Sequence, residues 1–241
     1  MVMASTVLLE DAPRLFSPLT RRTIGDEVLD TLRKSIVAGA FAPGDHLAEG
    51  HLARQLAVSR APVREAMMQL EREGLLVFDK RGAARVKVFS EDDFTEIFTL
   101  RLNLETMAAR LACRRFTKAD HRRFLDNIER TRSATKLLEL TLSDVEFHDL
   151  VVQTSRHARL LTCWSTLRHQ IEYWLARMQD RVESPLSKTR DATERNHRRL
   201  LAALQAGNEQ RMTKEIREHI EVWGRQQANG LRRVQRKAGI E

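Results

Sequence analysis

Aromatic side chains make up only 5% of the 241 residues, with one tyrosine and three tryptophans. A core built from this chain must therefore rest on Leu, Val, Ile, Ala and Met. Ten glycines and five prolines leave long stretches without a helix breaker. Those stretches are rich in Leu, Ala, Arg and Glu, which favours helix. The only cysteines, Cys113 and Cys163, form no CxxC and no disulfide framework. They read as small buried residues of a reduced, cytoplasmic protein. No apolar run approaches the ~20 residues a membrane span needs, so no membrane partner is expected. The N-terminus lacks a basic leading segment, and Glu10 and Asp11 interrupt its only apolar stretch, which argues against a secretory signal.

Charge is what the chain does have: 31% of residues are charged and the net charge is +8. Its distribution is informative. Between Gly50 and Val88, eight cations (Arg54, Arg60, Arg64, Arg72, Lys80, Arg81, Arg85, Lys87) face four anions (Glu65, Glu71, Glu73, Asp79). A compact basic segment of this kind is compatible with a polyanionic partner. A second surplus at Arg232, Arg233, Arg236 and Lys237 reads as a solvated helix end.

Periodicity divides the chain near Ser90. Residues 1–20, with Pro13 and Pro18, show no sustained pattern and read as a flexible arm. A helix is expected over Thr23–Ala38, where Ile24, Val28, Leu32 and Ile36 share one face. Gly39 stops it, and Ala42-Pro43-Gly44-Asp45 is a turn. Two short helices follow, Glu49–Leu56 and Arg60–Glu73, separated by the turn Ala57-Val58-Ser59, with Ser59 placed to cap the second and Gly74 to close it. Leu76–Phe78 and Arg85–Phe89 read as strands of a hairpin whose tip, Asp79-Lys80-Arg81-Gly82, is basic. Residues 21–89 thus have the order of a winged helix-turn-helix. From residue 90 to the end strand signals vanish, and the pattern predicts helices over 91–114, 118–134, 137–154, 157–181, 187–206 and 208–235. The expected fold is mainly α, a winged helix-turn-helix of three helices and a hairpin wing followed by an all-α bundle.

The helix at 60–73 separates into two faces. Val63, Ala66, Met67 and Leu70 follow the i, i+3, i+4, i+7 pattern of a packed stripe. Arg60, Ala61, Arg64, Glu65 and Met68 face the other way, and two arginines four apart near a helix N-terminus suit guanine edges and phosphates in a major groove. The segments PGxxL (Pro43–Leu47), VSRxPVREA (Val58–Ala66) and LxxEGL (Leu70–Leu75) at these separations closely resemble the DNA-binding domain of the GntR family. The resemblance implies a homodimer on near-palindromic, double-stranded operator DNA. It also implies that Arg60, Arg64 and Gly82 touch DNA, with Ser59, Ala61 and Arg81 beside them. Gly50 departs from the pattern: some relatives carry a DNA-contacting arginine there, so no contact is assigned to it, and His51 reads as a surface histidine.

In the helical half, Asp144 and His148 are one turn apart on one side of a helix. His197 and His219 flank the break at Ala206-Gly207-Asn208. At 1.5 Å per residue, about ten residues down and about eleven back bring them to one level of an antiparallel pair. Three imidazoles and one carboxylate suit a divalent metal, Zn²⁺ first, with Ni²⁺, Co²⁺ or Mn²⁺ as alternatives. Spacing alone leaves these histidines as readily structural as metal-binding. Asp144-x-x-Phe147-His148, His197, His219 and Arg101-x-x-Leu104-Glu105 are similar to the FCD effector domain of the FadR-type branch of the same family. This resemblance implies a six- or seven-helix bundle holding a metal through one Asp and three His beside a small organic acid. Arg101 lies in register with the apolar stripe of its helix, so either it pairs with Glu105 one turn on or it faces a cavity and holds a carboxylate. Arg168, Tyr173 and Arg177 are further candidates for an effector pocket. The reading that results is a metabolite-responsive regulator, a repressor by analogy with its relatives, and not an enzyme. A metal-dependent hydrolase is the rival, weakened because four protein ligands would fill a tetrahedral zinc. A DNA-packaging protein without effector is a third.

Overall fold

The computed structural model describes residues 23–179 and 185–238, with side chains described up to Arg177, over 185–222 and at Gly224. The arm expected at residues 1–20 and Ser184 of the expected Ser184-Pro185 break lie outside the described residues. No described helix is long and apolar enough to cross a membrane.

The N-terminal unit opens with α1 (Ile24–Val37). Thr23 and Asp26 close a reciprocal capping box, each side chain accepting the other's backbone N–H. Val28, Leu32 and Ile36 are buried as expected, whereas Ile24, first in the stripe, is 61% exposed. Helices α2 (Glu49–Gln55) and α3 (Arg60–Arg72) follow, joined by a turn in which Ala57 takes a φ of 53°. Val63, Ala66, Met67 and Leu70 of α3 are all buried. Gly74 ends α3 with a φ of 72°, and a Cβ there would stand 2.6 Å from the Gln170 side chain.

The wing has one strand more than the sequence suggests. β1 (His46–Leu47) joins β2 (Leu76–Phe78) and β3 (Ala84–Val86) in an antiparallel sheet of order β1-β3-β2, with Leu47 opposite Ala84 and Leu76 opposite Val86. Two residues carry too little periodicity to be recognised as a strand. β3 also ends earlier than expected, because Phe89 leaves the sheet to pack its ring 5.2 Å from Tyr173 and 5.9 Å from Trp174.

Six helices complete the described chain: α4 (Glu91–Arg115), α5 (Lys118–Ser133), α6 (Leu137–Thr154), α7 (Ala158–Gln179), α8 (Leu186–Gln205) and α9 (Glu209–Ala238). Ser90 and Thr117 cap α4 and α5 through capping boxes with Asp93 and Asp120. α6 is the central helix, burying Leu140, Val145, Phe147, Leu150, Val151 and Val152 together with Asp144 and His148.

The two units share one element. α7 sends Tyr173 into the N-terminal core among Val28, Leu32, Leu75 and Val86. Beside it, Glu73 at the end of α3 is only 5% exposed and receives both nitrogens of the Arg33 fork at 2.7 and 2.8 Å, with His169 Nε2 4.0 Å away. His169 and Arg168 in turn contact Glu172, and Arg168 pairs with Asp149 of α6 at 2.9 Å. Burial alone would push the Glu73 carboxyl up. The hydrogen bonds from Arg33 and the charges of His169 and Arg33 outweigh it and hold the group below its ordinary 4.5. A carboxyl depressed by folding stabilises the protein above its unfolded pKa, and the contribution disappears as pH falls through the folded value. Glu73→Gln should therefore cost about 2 kcal/mol at pH 7 in urea denaturation. The gap from wild type should close as the pH drops below 4.5.

Candidate functional site

Two surfaces of the N-terminal unit carry the candidate DNA-reading residues, the outer face of α3 and the wing tip. On α3, Arg60, Ala61, Arg64, Glu65 and Met68 are exposed while the opposite stripe is buried, the division the sequence predicts. Ser59 occupies the N-cap position, but its side chain makes no capping hydrogen bond, contrary to expectation. An N-cap oxygen bonds the N–H of the second or third helical residue, and Pro62 in third place removes one of those two donors. At the wing tip Arg81 and Gly82 are exposed, with Gly82 at a φ of 78°. Asp79 holds the tip by accepting the backbone N–H groups of Arg81 and Ala83 at 2.8 and 3.0 Å, which lowers its carboxyl pKa.

Glu49, on the helix before α3, went unnoticed in the sequence. Its carboxylate takes the Arg64 fork in a bidentate pair at 3.0 and 2.9 Å. The signal available was a lone acid 15 residues before an arginine, which means nothing until the turn places the two helices across each other.

In the helical unit, one ligand atom from each of Asp144, His148, His197 and His219 falls within 4.8 Å of the others. Asp144 and His148 come from α6, His197 from α8 and His219 from α9, so the level-matching of the antiparallel pair holds. His148 Nε2 and His219 Nε2 stand 3.2 Å apart, and His197 Nε2 lies 3.1 Å from Asp144 Oδ1. Phe147 stacks flat on the His197 ring, centroids 3.8 Å apart. Asp144, His148 and His197 are buried and His219 is half-buried.

The protonation states suit a cation. Burial would raise the Asp144 carboxyl, but the hydrogen bond from His197 and the facing histidines pull it well below the carboxylate range. Burial, reinforced by the charge of His148, brings His219 down to about 3, and burial likewise lowers His197. An ionised Asp144 beside His197 and His219, both held toward the neutral form, is a donor set that suits a borderline divalent ion. His148 Nδ1 hydrogen-bonds the Glu105 carboxylate, which turns its Nε2 toward His219. His197 Nδ1 is buried without a hydrogen-bond partner. The residues fit a metal.

The four effector-pocket residues divide. Arg101 and Glu105 reach the metal cluster: Arg101 Nε donates to Glu105 Oε1 at 2.7 Å, and Glu105 Oε2 meets His148, with both side chains at most 1% exposed. Of the two readings of Arg101, the ion pair with Glu105 is the one observed. Arg168 and Tyr173 are not brought to the cluster. Arg168 lines a cavity of about 190 Å³ at the domain junction with Arg33, His169 and Glu172, and Tyr173 is buried in the N-terminal core. Arg177 lies with them, its Nη2 donating to the Phe41 carbonyl at 2.6 Å. The sequence shows these three on one helix but not that this helix faces the other domain.

A winged helix-turn-helix joined to a helical bundle with a buried His/Asp cluster defines a ligand-responsive class of DNA-binding regulator. The chain belongs to the GntR family of bacterial regulatory proteins with an FCD domain. Residues 24–86 match the family model described as "Bacterial regulatory proteins, gntR family", and residues 96–222, more than half of the chain, match the FCD domain. Relatives include a "Probable D-xylose utilization operon transcriptional repressor" of Paenarthrobacter nicotinovorans, 29% identical over 85% of this chain and 89% of that one. A gluconate operon transcriptional repressor of Bacillus licheniformis is 27% identical, covering 68% and 71%. Among solved structures, E. coli McbR/YncC superposes with a TM-score of 0.72 at 24% identity, over 86% of this chain and 100% of that one. A GntR regulator from Rhodococcus sp. RHA1 superposes at 0.69 with 23% identity, covering 85% and 97%. These are transcriptional regulators rather than enzymes, and so is this chain.

Because Arg101 and Glu105 neutralise one another in a dry core, removing the cation strands a charge. Arg101→Ala should lower stability by about 3–5 kcal/mol in chemical denaturation. A side chain that served only to hold a ligand would leave the stability of the ligand-free protein unchanged.

Proposed function

We propose that the protein is a metabolite-responsive repressor that binds its operator as a homodimer in the cytoplasm. Its affinity for DNA is set by a small organic acid bound beside a divalent metal. The observation that carries this reading is the convergence of Asp144, His148, His197 and His219 within 4.8 Å in a domain whose α7 is built into the core of the DNA-binding unit. Ser59, Arg60, Ala61 and Arg64 face the major groove, and Arg81 and Gly82 carry the wing to the adjacent backbone. Zn²⁺ suits the four-ligand set best, and Ni²⁺, Co²⁺ or Mn²⁺ share its donors.

Bound metal would supply a Lewis-acidic seat for a carboxylate or hydroxyl of the effector. The chain's own residues do the rest. Glu105 fixes the His148 ring and Arg101 fixes Glu105, so both are positioning residues of the cluster rather than direct effector contacts. α6 carries Asp144 and His148 and, one residue on, Asp149, which grips Arg168 of α7. α7 meets Glu73 at the end of α3 through His169. A ligand that favours one placement of α6 is thereby able to bias the placement of the recognition helix. Half-sites lie about one turn of DNA apart, so a shift of a few ångströms between two recognition helices abolishes simultaneous docking. The named relatives control sugar and sugar-acid genes, which points to sugar acids of the gluconate kind as the first effectors to test. Dicarboxylates, amino acids and short hydroxy acids follow.

Two variants separate the parts. Arg64→Ala should weaken binding to a selected operator by about 1–3 kcal/mol in a titration at fixed salt. His197→Ala should lose stoichiometric zinc, read by elemental analysis after dialysis, and gluconate should no longer raise its melting temperature. Wild-type protein that retains no divalent ion under the same dialysis would remove the metal from the proposal.

A further inference from the structure

Gly50 stands second in the seven-residue α2, a position where glycine weakens a helix. Its φ is not in the left-handed region, so no backbone conformation demands glycine there. Space does. The three atoms nearest to where its Cβ would be all belong to the Arg60 guanidinium: Nη2 at 3.3 Å, Cζ at 3.5 Å and Nε at 3.5 Å. The fork of Arg60 therefore lies flat on the first turn of α2, in the room that the missing side chain leaves. The neighbouring residue, Glu49, holds the Arg64 fork in a bidentate pair. Both guanidinium groups of the exposed face of α3 are thus oriented by two consecutive residues of α2, one through charge and the other through absence.

We propose that Gly50 is a specificity-determining position of the DNA-reading surface. By seating the Arg60 guanidinium against α2 it fixes the direction from which that fork approaches a base pair. The inference rests on the DNA-binding reading above and deepens it. An arginine fork discriminates by offering two parallel donors to the acceptors of one guanine, which depends on the angle of approach more than on charge. A Cβ at residue 50 would press on the fork by a few tenths of an ångström, and a longer side chain would take its place.

The test is a selection from randomised duplexes with the full-length protein, followed by titrations on the selected half-site and its single-base-pair variants. The proteins compared are wild type, Gly50→Ala, Gly50→Gln, Arg60→Ala and the Gly50→Gln/Arg60→Ala double variant. Wild type should discriminate about tenfold or more at the base pair that Arg60 reads. Gly50→Gln should lose that preference at the same base pair as Arg60→Ala, and the double variant should lose no more than either alone. Gly50→Ala should melt at or above the wild-type temperature and show a smaller loss at the same position. The proposal is overturned if Gly50→Gln keeps the wild-type preference, or if its loss adds to that of Arg60→Ala. A uniform loss over all sequences also overturns it, since that would mark the glycine as room for a phosphate. A wild-type protein that enriches no sequence would bring down the DNA-reading assignment itself. Unchanged preference in Gly50→Gln beside a selective wild type brings down only this inference.

Discussion

A carboxylate in the dry interior of the helical domain is the constraint around which the rest is arranged. Glu105 has no access to water, so its charge must be met on both oxygens. Arg101 meets one and His148 the other. The second contact settles which nitrogen of His148 faces the cluster, and hence whether that imidazole is able to act as a ligand. Arg101 and Glu105, candidates for an effector clamp, support the His148 side of the His/Asp cluster in this geometry. Phe147 adds the same kind of support to His197 by stacking, so two of the three imidazoles are held by groups that are not themselves ligands.

From that cluster one route to the recognition helix runs through α6 and α7. Asp149 follows His148 directly and pairs with Arg168, and α7 places His169 near Glu73 and Tyr173 inside the N-terminal core. Flexible linkage between a sensor and a DNA reader would leave their relative placement undefined. Here the junction is packed and charged, with Arg33, Glu73, Arg168 and Glu172 satisfying one another. A junction of this kind has few alternative packings, which is what a two-state response requires. The outer face of α3 is similarly supported from behind, as α2 meets the guanidinium groups of Arg60 and Arg64.

Much of this was legible beforehand. Helix boundaries fell close to expectation because capping residues mark them: Ser90 and Thr117 announce α4 and α5, and Gly74 closes α3. The buried stripe of α3 and the nearness of Asp144, His148, His197 and His219 followed from helical period and from the length of the hairpin between α8 and α9. The lapses have physical reasons. β1 is two residues long and exists only because β3 lies beside it. Ser59 makes no capping bond, and Pro62 removes the donor at the third helical position. Arg168 and Tyr173 lie at the domain junction and away from the His/Asp cluster, which periodicity could not show because it gives the face of a helix and not the partner across from it.

Local chemistry written along the chain determined the elements, their order, the polarity of each face and the residue types able to hold DNA or a metal. These depend on near neighbours, where spacing is geometry. Only the tertiary structure decided that Arg101 pairs inward, that Glu49 and Gly50 meet the guanidinium groups of Arg64 and Arg60, and that α7 packs into both domains. Those relations join residues far apart in sequence, and their distance in space is fixed by how the helices pack rather than by any period within one of them.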